Sequence, residues 1–126
     1  MTNEEIINFV IDKLIEQGGP SMNADDSSCQ YRGIEGRKCA AGWLIKDEVF
    51  DKVDPDDVEG LTVETAVAEL YSSPVNKLLF ASGVDVRQLP LVRVLQERHD
   101  DFADNPLEHW VSDLQQARAD LLRIYA

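Results

Sequence analysis

Apolar side chains recur at helical spacing along much of this chain, and most runs are bracketed by residues that start or stop a helix. Ile6, Ile7, Val10, Ile11, Leu14 and Ile15 follow Thr2-x-x-Glu5, a reciprocal N-terminal cap, and Gly18-Gly19-Pro20 ends the run. The spacing predicts a helix over 3–17. Residues 21–28 are small and polar, and Cys29 to Cys39 has two glycines around a turn, which reads as a short β-hairpin with Cys29 opposite Cys39 and Tyr31 opposite Arg37. Helical character returns over 40–50, with Ala41, Leu44 and Ile45 on one stripe, and the acidic stretch 51–60 reads as a loop. Thr62 is placed to cap a helix carrying Val63, Ala66, Val67 and Leu70, and Ser73-Pro74 stops it and starts a short helix through Phe80. Pro90 opens a helix with Leu91, Val92, Leu95 and Phe102. Asn105-Pro106-x-Glu108 opens a last one with Leu107, Trp110, Val111, Leu114, Leu121 and Tyr125 facing inward. The expected fold class is mainly α, a single small helical domain over 1–126 with one short β-hairpin near residues 29–39.

Composition narrows the functional classes. In 126 residues, 44% hydrophobic and 29% charged is ordinary globular usage, while 24 acidic against 12 basic side chains give a formal charge of -12. That excess argues against broad attachment to nucleic-acid phosphates or anionic lipid. No apolar stretch approaches a membrane span and the N-terminus is acidic, so the expected setting is cytoplasmic, with no membrane partner and no direct nucleic-acid partner. Charge is also uneven. Residues 29–46 hold Arg32, Arg37, Lys38 and Lys46 against Glu35 alone, whereas residues 47–59 hold seven acids against Lys52.

These patches offer two binding chemistries. Arg32, Arg37 and Lys38 could receive an anion such as a nucleotide phosphate, with Tyr31 as a stacking face. The competing reading pairs these cations internally with the acidic excess, and surface pairing of that kind is the commoner use of such residues. Asp54, Asp56, Asp57 and Glu59 could meet a basic protein surface, where complementary charge raises the association rate.

Several other chemistries fit the residues poorly. Cys29, Cys39, His99 and His109 are zinc-type ligands, but nine residues separate each pair, where structural zinc sites space theirs by two to four. The cysteines read as small apolar side chains fixing the hairpin, with no metal and no cofactor expected; a disulfide between them is geometrically open, but the cytoplasm keeps such pairs reduced. A Cys nucleophile with His99 as base is the enzymatic version, weakened because adjacent helical positions point about 100 degrees apart and Asp100 would struggle to orient the ring. Counted from Asp54, the acidic loop has Val58 and Glu59 where a calcium loop needs a ligand and a glycine. Trp43 and Trp110 read as core.

The run Cys29-x-Tyr31-Arg32-Gly33-x-x-Gly36-x-Lys38-Cys39-Ala40-x-Gly42-x-Leu44-Ile45, followed by Asp47-Glu48 and later by Leu95-Gln96-x-x-His99-Asp100 and Trp110, resembles a family of small proteins encoded by bacteria and their phages. The resemblance implies a phage or mobile-element setting inside a host bacterium; it brings no reaction, ligand or site residues. The combined expectation is a non-enzymatic accessory protein that engages and modulates a host protein with a basic surface, for example in defence or nucleic-acid processing. The alternative is a small-ligand binder holding an anionic nucleotide at Tyr31, Arg32, Arg37 and Lys38.

Overall fold

Thr2 and Glu5 cap α1 (Asn3–Gln17) as expected: the Glu5 amide donates to Thr2 Oγ1 at 3.1 Å and the Thr2 amide to Glu5 Oε1 at 2.9 Å. Gly18, at φ 79°, ends the helix. The computed structural model describes residues 1–23 and 29–126, so most of the polar stretch expected over 21–28 lies outside the described residues. The other helices are α2 (Ala40–Leu44), α3 (Asp47–Phe50), α4 (Pro74–Ala81), α5 (Leu89–Ala103) and α6 (Trp110–Tyr125).

The chain is mainly helical. α1 lies along α6, α2 packs on α1 and α5, and α5 meets α6. Their facing stripes, including Ile7, Val10, Leu14, Ala41, Leu91, Leu95, Leu114 and Leu121, form one continuous cluster of buried side chains. Trp110 is core, as expected, and its indole N–H donates 2.8 Å to the Leu14 carbonyl, tying α6 to α1. Arg118 adds a second tie, with Asn8 Oδ1 at 3.0 Å and Asp12 Oδ1 at 2.6 Å.

Four sequence expectations are corrected. Among the described residues no strand forms, so the hairpin at 29–39 is absent. Arg32 and Lys38 make one isolated bridge around a 3-10 turn at Ile34–Gly36, and Cys29 bridges Met22 instead of facing Cys39. The reason is competition: the Ile34 amide donates to the Met22 carbonyl at 3.1 Å, and Cys39 serves as the N-cap of α2. The helix expected over 40–50 breaks at Ile45 and Lys46, whose backbone groups bond Arg32 and Ser82. The helix expected after Thr62 does not form, apart from a 3-10 turn at Val67–Glu69, because buried Asn76 takes the backbone groups a helix would use. Its Oδ1 accepts from the Glu64 amide at 3.1 Å, and its Nδ2 donates to the Glu64 and Leu70 carbonyls, each at 3.0 Å. Leu107 is exposed because 107–109 is a 3-10 turn that stands before α6, and Val111 is exposed because it sits about 100 degrees round the helix from the buried stripe of Trp110, Leu114, Ala117 and Leu121.

Two glycines are fixed by close approach. A Cβ at Gly42 would stand 2.3 Å from the Tyr31 carbonyl oxygen, and one at Gly33 would stand 2.3 Å from Ser21 Oγ and 2.7 Å from the Met22 carbonyl oxygen. Gly42→Ala should therefore cost about 1 to 3 kcal/mol of unfolding free energy through forced displacement of the 31–33 backbone. Urea unfolding followed by circular dichroism checks this, and a variant as stable as the parent would mean that the two backbones separate freely.

Candidate functional site

The segment from Tyr31 to Lys38 is an irregular loop seated on the core, so its backbone groups need partners from elsewhere. Gln17, the last residue of α1, donates from Nε2 to the Lys38 carbonyl and accepts the Lys38 amide at Oε1, at 2.8 and 3.0 Å. The same Oε1 accepts the Trp43 indole N–H at 3.0 Å. At the other end of the loop, Glu59 accepts the Tyr31 and Arg32 amides, one on each carboxylate oxygen, at 2.9 and 3.1 Å.

The side chains of the basic motif are divided between different environments. Arg32 donates to Asp47 Oδ1 at 2.6 Å and to the Ile45 carbonyl at 3.0 Å, with its guanidinium over the Phe50 ring at 4.7 Å. Lys38 reaches the same Asp47 oxygen at 3.0 Å and lies over the Trp43 ring at 4.6 Å. Both cations are thus half-buried and paired internally. Arg37 lies apart from them, in a cleft of about 300 Å³ with Lys13, Gln17, Glu35 and Trp43. Tyr31 offers no stacking face: its ring is buried and its hydroxyl donates to the Leu61 carbonyl. The expected cluster of Tyr31, Arg32, Arg37 and Lys38 around one anion does not assemble in this structure.

On the acidic side, Asp54 Oδ1 accepts the Asp56 amide at 3.0 Å and so caps the 3-10 turn Pro55–Asp57. Asp54, Asp56 and Asp57 are exposed, and none has an ion-pair partner among the described residues. Glu59 is turned inward, and burial pushes its carboxyl up while the Arg32 and Tyr31 amides pull the other way. Asp47 shows the reverse: Lys38 first, then Arg32, hold its carboxyl below the ordinary value. Asp47, the shared partner of both cations, is the residue that motif reading passed over as a candidate, although it stands just beyond the motif at Asp47-Glu48.

A second cluster lies beneath the loop. His99 is fully buried, with Nε2 accepting the Ser21 amide at 3.0 Å and Nδ1 lying 2.9 Å from Asp100 Oδ1. The expectation that Asp100 would not easily orient this ring is corrected: exposed at the edge of α5, its carboxylate folds back to the neighbouring imidazole and also accepts from Gln96 Nε2 at 2.9 Å. Cys29 completes a group whose ligand-type atoms lie within 4.8 Å of one another, and Cys39 lines the same small cleft of about 120 Å³. His109 is exposed and, among the described residues, pairs only with Glu108, at 3.8 Å, so the four zinc-type side chains do not converge.

The hydrogen bonds restrict what this cluster can do. Because Nε2 accepts from Ser21, the ring proton sits on Nδ1 and points at Asp100, leaving no nitrogen lone pair for a metal or for a thiol proton while that bond holds. Burial, followed by the nearby Asp100 charge, pushes the Cys29 thiol up to about 12, the opposite of an activated nucleophile. Cys39, fully buried, is pushed up as well, and its sulfur accepts the Gly42 amide at 3.4 Å.

No protein-family model, curated protein or solved structure matches the chain. Among the described residues no helix is long and apolar enough to cross a membrane.

Two measurements probe this geometry. Asp47, with its carboxyl held low, contributes stability that is present above the ordinary carboxylate range and lost as pH falls through its own lowered value. Asp47→Asn should therefore cost up to about 1 kcal/mol near neutral pH, and the gap between parent and variant should close on acidification below about pH 4. A gap constant across pH would remove the charge pairing from the account. For Cys29, alkylation by iodoacetamide at pH 8, mapped to the peptide, should run at least about 100-fold slower than for free cysteine and keep rising with pH. A rate already level at pH 8 would reveal a thiolate and reopen the nucleophilic reading.

Proposed function

We propose that this chain is a binding protein without catalytic activity that engages a partner of basic surface through its acidic segment, residues 47–59. One observation carries the reading. The acids at the two ends of that segment, Asp47 and Glu59, are turned onto the 31–38 loop, while Glu48, Asp51, Asp54, Asp56 and Asp57 between them are exposed and have no ion-pair partner among the described residues. An arc of five exposed carboxylates without ion-pair partners among the described residues, fixed at both ends, suits a surface of lysines and arginines. The resemblance of the 29–48 motif to phage-encoded proteins supports placing that partner in a bacterial host. The nucleotide alternative is left with Arg37 alone among the motif cations, and no observation favours it.

Immobilised protein exposed to bacterial lysate, with bound proteins identified by mass spectrometry, should retain partners with basic surfaces. Their association should slow steeply as salt rises from about 0.05 to 0.5 M, since the Debye length shrinks from roughly 14 to 4 Å. Neutralising Asp54, Asp56 and Asp57 together to Asn should reproduce that slowing at low salt. A salt-independent association rate, or one unchanged in the triple variant, would sink the proposal.

A further inference from the structure

Just beyond the acidic arc the chain leaves apolar side chains uncovered. Leu61, Val67 and Tyr71 are 44%, 87% and 68% exposed, although the sequence spaces Val63, Ala66, Val67 and Leu70 as a helix face that ought to be buried. Asn76 holds this stretch out of the helical conformation, so Val63 reaches the core while Ala66 and Val67 face away. Tyr71 does not simply project into solvent: its ring rests against Phe80, 5.8 Å between centroids and tilted by 38°. Leu61, Thr62, Glu64, Glu69 and Pro74 line a shallow cleft of about 280 Å³ on the same stretch. Glu64 and Glu69 have no ion-pair partner among the described residues; Arg93, whose guanidinium reaches the Thr65 hydroxyl at 3.2 Å, pairs with Glu97 instead.

We infer that residues 60–74 are a docking surface for a basic polypeptide segment that carries apolar side chains between its lysines and arginines. Val67 and Tyr71 supply the apolar contact, and Glu64 and Glu69 supply the charged rim. Charge selects this occupant. Residues 47–74 hold nine acidic side chains against Lys52 alone, so a second copy of the chain would press two such segments together, and an anionic lipid surface would be repelled. Apolar anchors ringed by charge are the usual layout of a selective protein interface. The inference rests on the proposed function and adds its apolar half, since a purely electrostatic partner would need the 47–59 arc and nothing here.

The test titrates isotope-labelled full-length protein with two probes of equal net charge, an amphipathic Lys/Leu peptide and an oligolysine, followed by NMR and calorimetry at low salt. The Lys/Leu peptide should bind about 10-fold or more tightly than the oligolysine, with amide shifts concentrated at 60–74. Val67→Ser with Tyr71→Ser, both exposed and so compatible with an intact fold, should reduce it to the oligolysine level. Neutralising Asp54, Asp56 and Asp57 to Asn should weaken both probes alike. If the serine variant keeps the preference for the Lys/Leu peptide, or the shifts fall elsewhere, the docking surface is wrong while salt-sensitive oligolysine binding leaves the acidic-arc reading standing. Binding of neither probe would overturn both.

Discussion

Gln17 closes a hydrogen-bonded pair with the Lys38 peptide, donating to its carbonyl and accepting from its amide, and also accepts the Trp43 indole proton. A single amide side chain at the end of α1 thereby decides where the 31–38 loop meets the helices. The constraint behind it is general: an irregular segment seated on a core has no ladder of its own, and every peptide group left unpaired there costs about 1 to 3 kcal/mol. The loop meets that constraint with partners from four places: Gln17 at Lys38, Glu59 at Tyr31 and Arg32, Met22 at Ile34, and Ser21, whose hydroxyl donates to the Arg37 carbonyl at 3.2 Å. Ser21 is itself held from below by His99, so the buried imidazole supports the loop at one remove.

Seen this way, most of the cysteine-rich motif has a packing reason. Gly33 and Gly42 are where backbone touches backbone or Ser21 closely enough to exclude a Cβ, Gly36 sits at φ 73°, Cys39 caps α2, and Ala40 and Ala41 are fully buried. Arg32 and Lys38 meet at one oxygen of Asp47, each with its cationic head over an aromatic ring. A dense motif that looks chemical in sequence is, in this fold, largely a set of instructions for folding a loop.

What could be read from the sequence follows the range of the interactions involved. α1 and the start of α4 were legible because caps, proline and glycine act within a few residues, and Trp110, Leu114 and Leu121 because their spacing alone defines a face. The 29–39 hairpin was not, because beyond the single Arg32–Lys38 bridge its peptide groups bond Gln17, Ser21, Met22 and Glu59, none of them inside the hairpin window. The helix after Thr62 failed for the same reason: Asn76, an ordinary polar residue in sequence, is fully buried and captures Glu64 and Leu70. At the candidate site, the internal pairing of Arg32 and Lys38 was readable as the competing use of those cations, but their shared partner Asp47 was not singled out. The sequence places it nine residues from Lys38, across a helix whose end it could not locate.

The anchoring of Asp47 and Glu59 also explains why the proposed acidic surface would be selective rather than merely sticky. A flexible run of carboxylates attracts any cation and pays in lost chain entropy each time it is ordered against one. Here Asp47 and Glu59 fix both ends of the run before a partner arrives, Asp54 stiffens its middle by capping the Pro55–Asp57 turn, and Val58 is buried between them. The exposed charges therefore stand at set positions relative to one another. A partner matching that spacing gains complementarity without ordering the segment, while a partner of equal charge and different spacing does not. The same internal pairing that occupies Arg32 and Lys38 ties one end of the acidic arc to the loop, so in the proposed interface the basic motif would act without touching the partner.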